Sequence, residues 1–343
     1  KIVNWKLKIV FIMFDVITIG SATRDGFFQG VAFLPVTGDC FITNKGICLP
    51  LGAKLRVPQV YFMTGGSATN TAVTFARQGL KTAIICRVAD DVSGQTIINE
   101  LKKESIDVDF IQKDYLVPTA YSVIFLTPQG ERTILSYKGC AEKLSAREIP
   151  WQKIKTRWMC LGSLGKEKNI LKKVIQFAVS KNIKLAINPG WQELEWLKKN
   201  PEWLNKFEIF ICNQEEAAHF TSIPYKREKQ IFKKLDDLVK GVVVMTKGKN
   251  GASVSNGRYI WQAGIFQQKT ADTTGAGDAF TSGFVSVFIK NKTINSQTIE
   301  EAIRVGNANA SSVVSHIGAK TGILYKKDLK QPRFQHVKIH RVK

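Results

Sequence analysis

A chain of 343 residues, 44% of them hydrophobic, has material for one large α/β domain or two ordinary ones and is not a globally disordered polymer. The 50 Lys and Arg against 28 Asp and Glu leave a formal charge of +22, which favours acidic ligands from nucleotides to nucleic acid and equally describes a diffuse basic surface. Six cysteines, at 40, 48, 86, 140, 160 and 212, form no Cys-x-x-Cys and no zinc-like His/Cys spacing, and read as reduced intracellular thiols.

Lys1, Lys6 and Lys8 precede the apolar run Ile9–Phe14, which imitates a signal peptide. Asp15 interrupts that run, and it is too short to span a membrane. Val10–Gly20 reads as a first buried strand, best started near Met13, with residues 1–12 as an upstream extension and Met13 as a candidate natural start. Residues 25–62 are irregular, with short apolar runs between Gly, Pro and Thr breaks. Helix is expected over Thr69–Gln78 and Ser93–Glu104, with a strand at Thr82–Arg87 between them. Thr119–Tyr137 alternates around a Pro/Gly turn and predicts a hairpin. These irregular and hairpin segments can form a small sheet beside the main one.

Beyond it, strands (Trp158–Gly162, Lys184–Asn188, Ile209–Cys212, Gly241–Thr246) alternate with helices (Asn169–Ser180, Gln214–Phe220). A hairpin passes through Asn256-Gly257, and helices follow at Ala279–Ile289 and Ile299–Ser315. This alternation predicts a mostly parallel sheet covered on both faces, with ligands outside the carboxyl ends of its strands. The segment 320–343 carries eight Lys/Arg and one acid and reads as surface or disordered chain.

One stretch carries chemistry: D-T-T-G-A-G-D-A-F, residues 272–280. If a helix starts near Ala276, its first amides lack intrahelical partners. Small residues leave those amides open, and the helix dipole makes the site electropositive, so it can hold an anion. Asp278 then stands beside the bound anion as a proton acceptor, an arrangement suited to moving a phosphoryl group to an alcohol. An Asp in a first helical turn is also, by itself, an ordinary cap.

The nonapeptide resembles the C-terminal signature of the ribokinase-like (PfkB) carbohydrate kinases, D-[ST]-x-G-A-G-D, and matches it completely. Gly65-Gly66-Ser67-Ala68-Thr69-Asn70, followed by A-R-Q-G-L and C-R-V-A-D-D-V-S-G, resembles the N-terminal signature. Asn213-Gln214-Glu215-Glu216 matches N-x-x-E, and Thr246-Lys247-Gly248 with Gly251 resembles the nucleotide loop. The matches run in the family's order over roughly residues 13–325. The resemblance implies a three-layer α/β/α sandwich with a mostly parallel central sheet and a small β-sheet lid, drawn from about 26–62 and 119–137, and a basic tail at 326–343.

The resemblance also implies roles. Asp278 would be the general base, and the amides of Gly275, Ala276 and Gly277 would stabilise the γ-phosphoryl group of ATP. Asn213 and Glu216 would organise Mg²⁺ through waters, although taken alone they read as a helix cap. Thr246, Lys247, Gly248, Gly251 and Asn307 would line the nucleotide, with Asn213 beside its phosphates. Asp25, Gly65, Gly66 and Asn70 would form the acceptor pocket. In members with a monovalent-cation site, Asp272, Thr274 and Gly318 lie on it, which makes K⁺ a second candidate ion.

There are departures. Gly162-Ser163-Leu164-Gly165 stands where sugar kinases of the family often carry Glu, and the insert between Asp25 and Gly65 is long. Lys54 and Arg56 in it could meet a phosphorylated sugar or simply be exposed. The implied protein is a cytoplasmic, ATP-dependent kinase of a sugar or sugar derivative that pairs through its lid as a homodimer and needs neither membrane nor specific nucleic acid. The alternative is a nucleoside acceptor, for which Phe27, Phe28, Phe33 and Tyr121 are available. A distant alternative is an inactive member acting as a binding or regulatory protein, which predicts erosion at Asp278 or the glycines.

Overall fold

The protein is described by a computed structural model covering residues 13–39, 44–127, 132–291 and 293–342. Residues 1–12, Cys40 and the Pro/Gly turn of the 119–137 hairpin therefore lie outside the described residues.

The first strand, β1 (Phe14–Ile19), is followed by β2 (Thr23–Gln29), β3 (Leu34–Thr37), β4 (Lys45–Cys48) and β5 (Gln59–Gly65). Helix α1 (Ser67–Arg77), β6 (Thr82–Ile85), β7 (Arg87–Ala89), α2 (Val92–Lys103), β8 (Gln112–Asp114), β9 (Ala120–Leu126) and β10 (Arg132–Tyr137) come next. The alternating half contains β11 (Thr156–Leu161), α3 (Ile170–Ser180), β12 (Lys184–Ile187), α4 (Trp191–Lys199), β13 (Ile209–Asn213), α5 (Gln214–Thr221), α6 (Glu228–Asp236) and β14 (Val242–Thr246). It ends with β15 (Ala252–Ser255), β16 (Ile260–Ala263), α7 (Ala276–Lys290), α8 (Ser296–Val314) and β17 (Ile339–Val342).

The main sheet runs β17-β16-β15-β14-β13-β12-β11-β1-β6. The six strands from β14 to β6 are parallel, and the other three add antiparallel at one edge. Strand alternation sends successive side chains to opposite faces, and two cores result. Ile17, Ile19, Met159, Leu161, Phe210 and Met245 face α3 to α6. Val16, Trp158, Cys160, Ile209, Ile211 and Val244 face α7 and α8. This is the expected three-layer sandwich.

A second, smaller sheet, β10-β9-β2-β5, is built from the segments expected to form a lid. It starts at Thr23, slightly earlier than expected, because β2 pairs residue for residue with β5 from Thr23↔Gly65 to Gln29↔Gln59. Two of its strands, β2 and β5, thus lie between the end of β1 and the start of α1, so its root is built into the main sheet's carboxyl edge.

The expectation of a surface or disordered segment at 320–343 is corrected. Ile323, Leu324 and Phe334 are buried, and β17 pairs with β16 over Ile260↔Val342 to Ala263↔Ile339. Arg304 Nη1 holds the intervening chain through the carbonyl of Phe334 at 2.8 Å. The charge count concealed an apolar spacing that fills a gap beside α8 and covers a sheet edge.

Candidate active site

The order of the sheet reverses at β1, whose neighbours β6 and β11 lead in opposite directions. Such a switch point leaves a crevice at the strands' carboxyl ends. Helix α1 starts there at Gly66, with φ 101°. A Cβ on Gly66 would come within 2.5 Å of the Ser21 carbonyl oxygen, so only glycine permits this approach.

Across the crevice, α7 begins after Gly275, with φ 77°. A Cβ there would lie 2.5 Å from that of Ala319, whereas Gly277 faces open space. Asp278 is the third residue of α7 and turns into the crevice, where Asn70 Nδ2 of α1 donates to its Oδ2 at 2.8 Å. Burial raises the Asp278 carboxyl above the ordinary aspartate value of 3.8, with the Asn70 bond acting in the opposite direction. Asn70 Oδ1 is buried and has no partner among the described residues.

Two cavities meet over the first turn of α7. One, of about 300 Å³, is lined by Gly275, Ala276, Gly277 and Asp278 together with Asn213 and Glu216. The other, of about 230 Å³, shares Thr246, Thr273, Ala276 and Gly277 with it and continues past Gly248, Gly251 and Asn307. The first can hold a phosphoryl group, and the second, with mainly apolar walls, a flat base.

Asn213 and Glu216 form a reciprocal cap. Glu216 N donates to Asn213 Oδ1 and Asn213 N to Glu216 Oε2, both at 2.8 Å. Burial raises the Glu216 carboxyl. Capping and cation binding are compatible, because a carboxylate has more acceptor positions than the cap uses. The pair offers hard oxygen donors at the end of the phosphoryl cavity, a set that suits a largely hydrated Mg²⁺.

Asp25, on β2, is 4% exposed. Its Oδ2 would lie 2.1 Å from a Cβ on Gly65, diagonally across the strand pair, where Gly65 is paired with Thr23. Burial raises its carboxyl, while Ser122 and Lys320 pull it down. Asp272 accepts from Thr274 N at 2.9 Å and Oγ1 at 2.7 Å through Oδ1, and from Gly318 N at 3.0 Å through Oδ2. Asp272, Thr274 and Gly318 are therefore one cluster.

Lys247 is where the structure and the expectation part. Its Nζ contacts Glu228 at 3.2 Å and Ser253 Oγ at 2.7 Å, and it is Lys249 that lines the base cavity. A one-dimensional pattern does not say which lysine of a turn faces the ligand. Lys54 and Arg56 are exposed. Of the aromatic residues, Phe27 is fully buried, and Phe28 and Phe33 cluster with Phe125 on the lid at 6.1 and 5.3 Å between ring centres.

Three residues had no sequence signal. Arg132, on lid strand β10, lines the phosphoryl cavity and donates through Nη1 to Thr273 Oγ1. Asn188, at the end of β12, also lines it. Lys320, only 6% exposed, pairs with Glu100 at 2.7 Å and contacts Thr64, one residue before Gly65. Only a lone positive residue after a Gly-Ala pair could have flagged it.

A carboxylate held beside bare helix amides, under a small lid at the switch point of an α/β sheet, is the arrangement of phosphotransferases that act on alcohol groups. Residues 32–325 match the family model of the pfkB family carbohydrate kinases, and the chain belongs to that family. It is accordingly an ATP-dependent carbohydrate kinase, a phosphotransferase with an alcohol group as acceptor. It is 28% identical over 264 residues to ribokinase from Haemophilus influenzae, covering 76% of this chain and 83% of the relative. Ribokinase from Mus musculus is 26% identical over 317 residues, with 88% and 94% covered. The structure of Arabidopsis thaliana ribokinase complexed with ribose and ATP aligns with a TM-score of 0.74 at 20% identity, covering 95% of this chain and 100% of that one. The Methanocaldococcus jannaschii nucleoside kinase aligns at 0.72 and 19%, covering 94% and 99%. The described residues contain no helix long and apolar enough to cross a membrane.

Proposed function

We propose that the protein transfers the γ-phosphoryl group of ATP to a hydroxyl of a sugar or sugar derivative. The observation that carries this reading is the position of Asp278, buried enough to be a stronger base than a surface aspartate and set in the first turn of α7. Asp25, Gly65, Gly66 and Asn70 hold the acceptor, with the orphaned Asn70 Oδ1 supplying an acceptor atom for one of its hydroxyls. The hydroxyl proton passes to the Asp278 carboxylate as the O–P bond forms, and the bond to the β-phosphate oxygen breaks to leave ADP. The amides of Gly275, Ala276 and Gly277 face the charge on the moving group, and the guanidinium of Arg132 closes over it from the lid.

Mg²⁺ held near Asn213 and Glu216 would neutralise phosphate charge there. Thr246, Gly248, Gly251, Asn307 and Lys249 line the nucleotide, while Lys247 braces the turn through Glu228. The Asp272–Thr274–Gly318 cluster is a candidate K⁺ site, with Asp272 as its charged member. The exposed residues of β10, among them Ile134, Leu135 and Tyr137, make the lid edge a surface for a homodimer. Work in the cytoplasm fits the five described cysteines, which are all free thiols.

A nucleoside acceptor is the second reading, favoured by the Phe28, Phe33 and Phe125 cluster on the lid. An inactive binding protein is disfavoured by the intact Asp278 and glycines. A coupled ADP-release assay with ribose, fructose, fructose phosphates, 2-keto-3-deoxygluconate, adenosine, inosine and cytidine tests all three. ADP release with a sugar supports the proposal, release confined to nucleosides moves the assignment to the second reading, and no release above the acceptor-free rate overturns both.

A further inference from the structure

Three consecutive residues after α8 touch three separate parts of the site. Gly318 N donates to Asp272 Oδ2 at 3.0 Å, at the start of the 272–280 motif. Ala319 lies against Gly275, the residue that precedes α7. Lys320 Nζ donates to Thr64 Oγ1 on β5, one residue before the Gly65-Gly66 turn. Thr64 Oγ1 in turn donates to Glu100 Oε2 on α2 at 2.6 Å, and Lys320 pairs with Glu100 Oε1 at 2.7 Å. Lysine, threonine and glutamate thus close a ring. The backbone of this strap is fixed from α1, where Arg77 Nη1 donates to the carbonyls of Lys320 at 3.3 Å and Ile323 at 2.8 Å.

Stability does not explain a charge at this position. Lys320 is 6% exposed and Thr64 1%. Withdrawing an ammonium from water is costly, and an apolar side chain of similar size often serves a fold as well or better. What the ammonium adds is direction, because it holds one hydroxyl in one place. That place matters, since β5 is an edge strand of the second sheet and leads straight into the glycine turn. We propose that Lys320 is a positioning residue for the phosphoryl acceptor, clamping Thr64 so that the Gly65-Gly66 turn keeps its place opposite the first turn of α7. This rests on the kinase reading above, in which that turn holds the acceptor. The proposed base and the proposed acceptor pocket come from different segments, and the 318–320 strap is attached to both. Burial raises the Asp25 carboxyl and Lys320 opposes that rise, so the same ammonium favours the ionised form that accepts from acceptor hydroxyls. Neither Lys320 nor Thr64 belongs to the matched signatures, so this role does not follow from them.

The test is steady-state ADP release by the full chain and by Lys320→Met, Thr64→Val and the double variant. The wild type is first screened with the acceptors named above, and the best of them is used throughout. Each single variant should raise the acceptor KM about tenfold, the scale of one hydrogen bond to a charged group. Their kcat and KM for ATP should stay within about twofold, because acceptor binding and not the transition state is affected. The double variant should show the rise of one single variant, since both substitutions cut the same link. Lys320→Met should melt no lower than the wild type, because Glu100, with 36% of its side chain exposed, is left to water. Should the Met variant fail to fold, Thr64→Val keeps the Lys320–Glu100 pair and gives the same reading. An unchanged acceptor KM overturns the inference, as do equal rises in both KM values or a double variant whose rise is the product of the two. A Lys320→Met variant that melts lower and loses kcat assigns Lys320 to stability and overturns it too. No ADP release by the wild type with any acceptor would overturn the kinase reading itself, and the role of Lys320 with it.

Discussion

Asn70 and Asp278 are 208 positions apart, yet Asn70 Nδ2 donates to Asp278 Oδ2 at 2.8 Å. The bond joins the first turns of α1 and α7, the two helices whose N-termini face the crevice. It places the proposed base against the proposed acceptor pocket and partly offsets the burial of its charge.

Replacing Asp278 by Asn is expected to move activity and stability in opposite directions. Steady-state turnover should fall by about two to four powers of ten, the range for losing a general base, while nucleotide binding is kept. The folded-state pKa lies above the unfolded value, so the native state holds its proton more tightly. The stability of the wild type is then greatest below the ordinary aspartate range and declines as pH rises through the folded pKa. Asn mimics the protonated form. Thermal melts should therefore show a higher Tm for the variant at pH 7, with the difference vanishing as pH falls below about 3.9.

Asn70→Ala removes a hydrogen bond that lowers the Asp278 pKa. The acidic limb of the kcat/KM profile should shift to higher pH, since a base with a raised pKa is deprotonated later. The acceptor KM should rise as well, because Asn70 Oδ1 is lost from the pocket. An unmoved acidic limb would separate Asp278 from the titration that governs turnover.

Gly65→Ala pushes a methyl group against the Asp25 carboxylate, where the ideal Cβ position is 2.1 Å from Oδ2. Overpacking of this kind costs about 1–3 kcal/mol. Denaturant unfolding should report that loss, and acceptor KM should rise with little change in the KM for ATP.

Arg132 reaches from the lid to Thr273 beside the helix amides. Arg132→Ala should lower kcat by about a hundredfold, the scale for removing one donor that faces transition-state charge. Acceptor KM should move far less. Equal losses in kcat and acceptor affinity would reassign Arg132 to ground-state binding.

Glu216 serves both a helix cap and the proposed cation. Glu216→Gln retains a carbonyl oxygen for Asn213 N but loses the charge, so melts should barely change while the Mg²⁺ needed for half-maximal rate rises. Chelation of Mg²⁺ should stop turnover in the wild type. A Gln variant with unaltered Mg²⁺ dependence would leave Glu216 as a cap alone.

Much of the candidate site's backbone geometry was readable because it is local. Gly275, Gly277 and Asp278 occupy one turn, and the left-handed Gly275 and the bare first amides follow from their order. Asn213 and Glu216 are likewise a single cap. Lys247 misled because its partner, Glu228, lies 19 residues away on α6. Arg132 was invisible because its reach to Thr273 spans 141 positions. The basic segment after residue 320 was misread because charge describes its exposed side chains, while Ile323, Leu324 and Phe334 decide its packing.

The order of residues along the chain determined the α/β alternation, the helix start at 276, the acid set within it and the class of chemistry these permit. Those properties depend on backbone geometry over a few residues, which local side chains control. Only the tertiary structure decided that Asp278 meets Asn70, that Asp25 closes on Gly65, and that Lys320 is buried with Glu100. Each of these depends on burial and on contacts between segments brought together by sheet order, where removal of water makes a charge or an unpaired amide consequential.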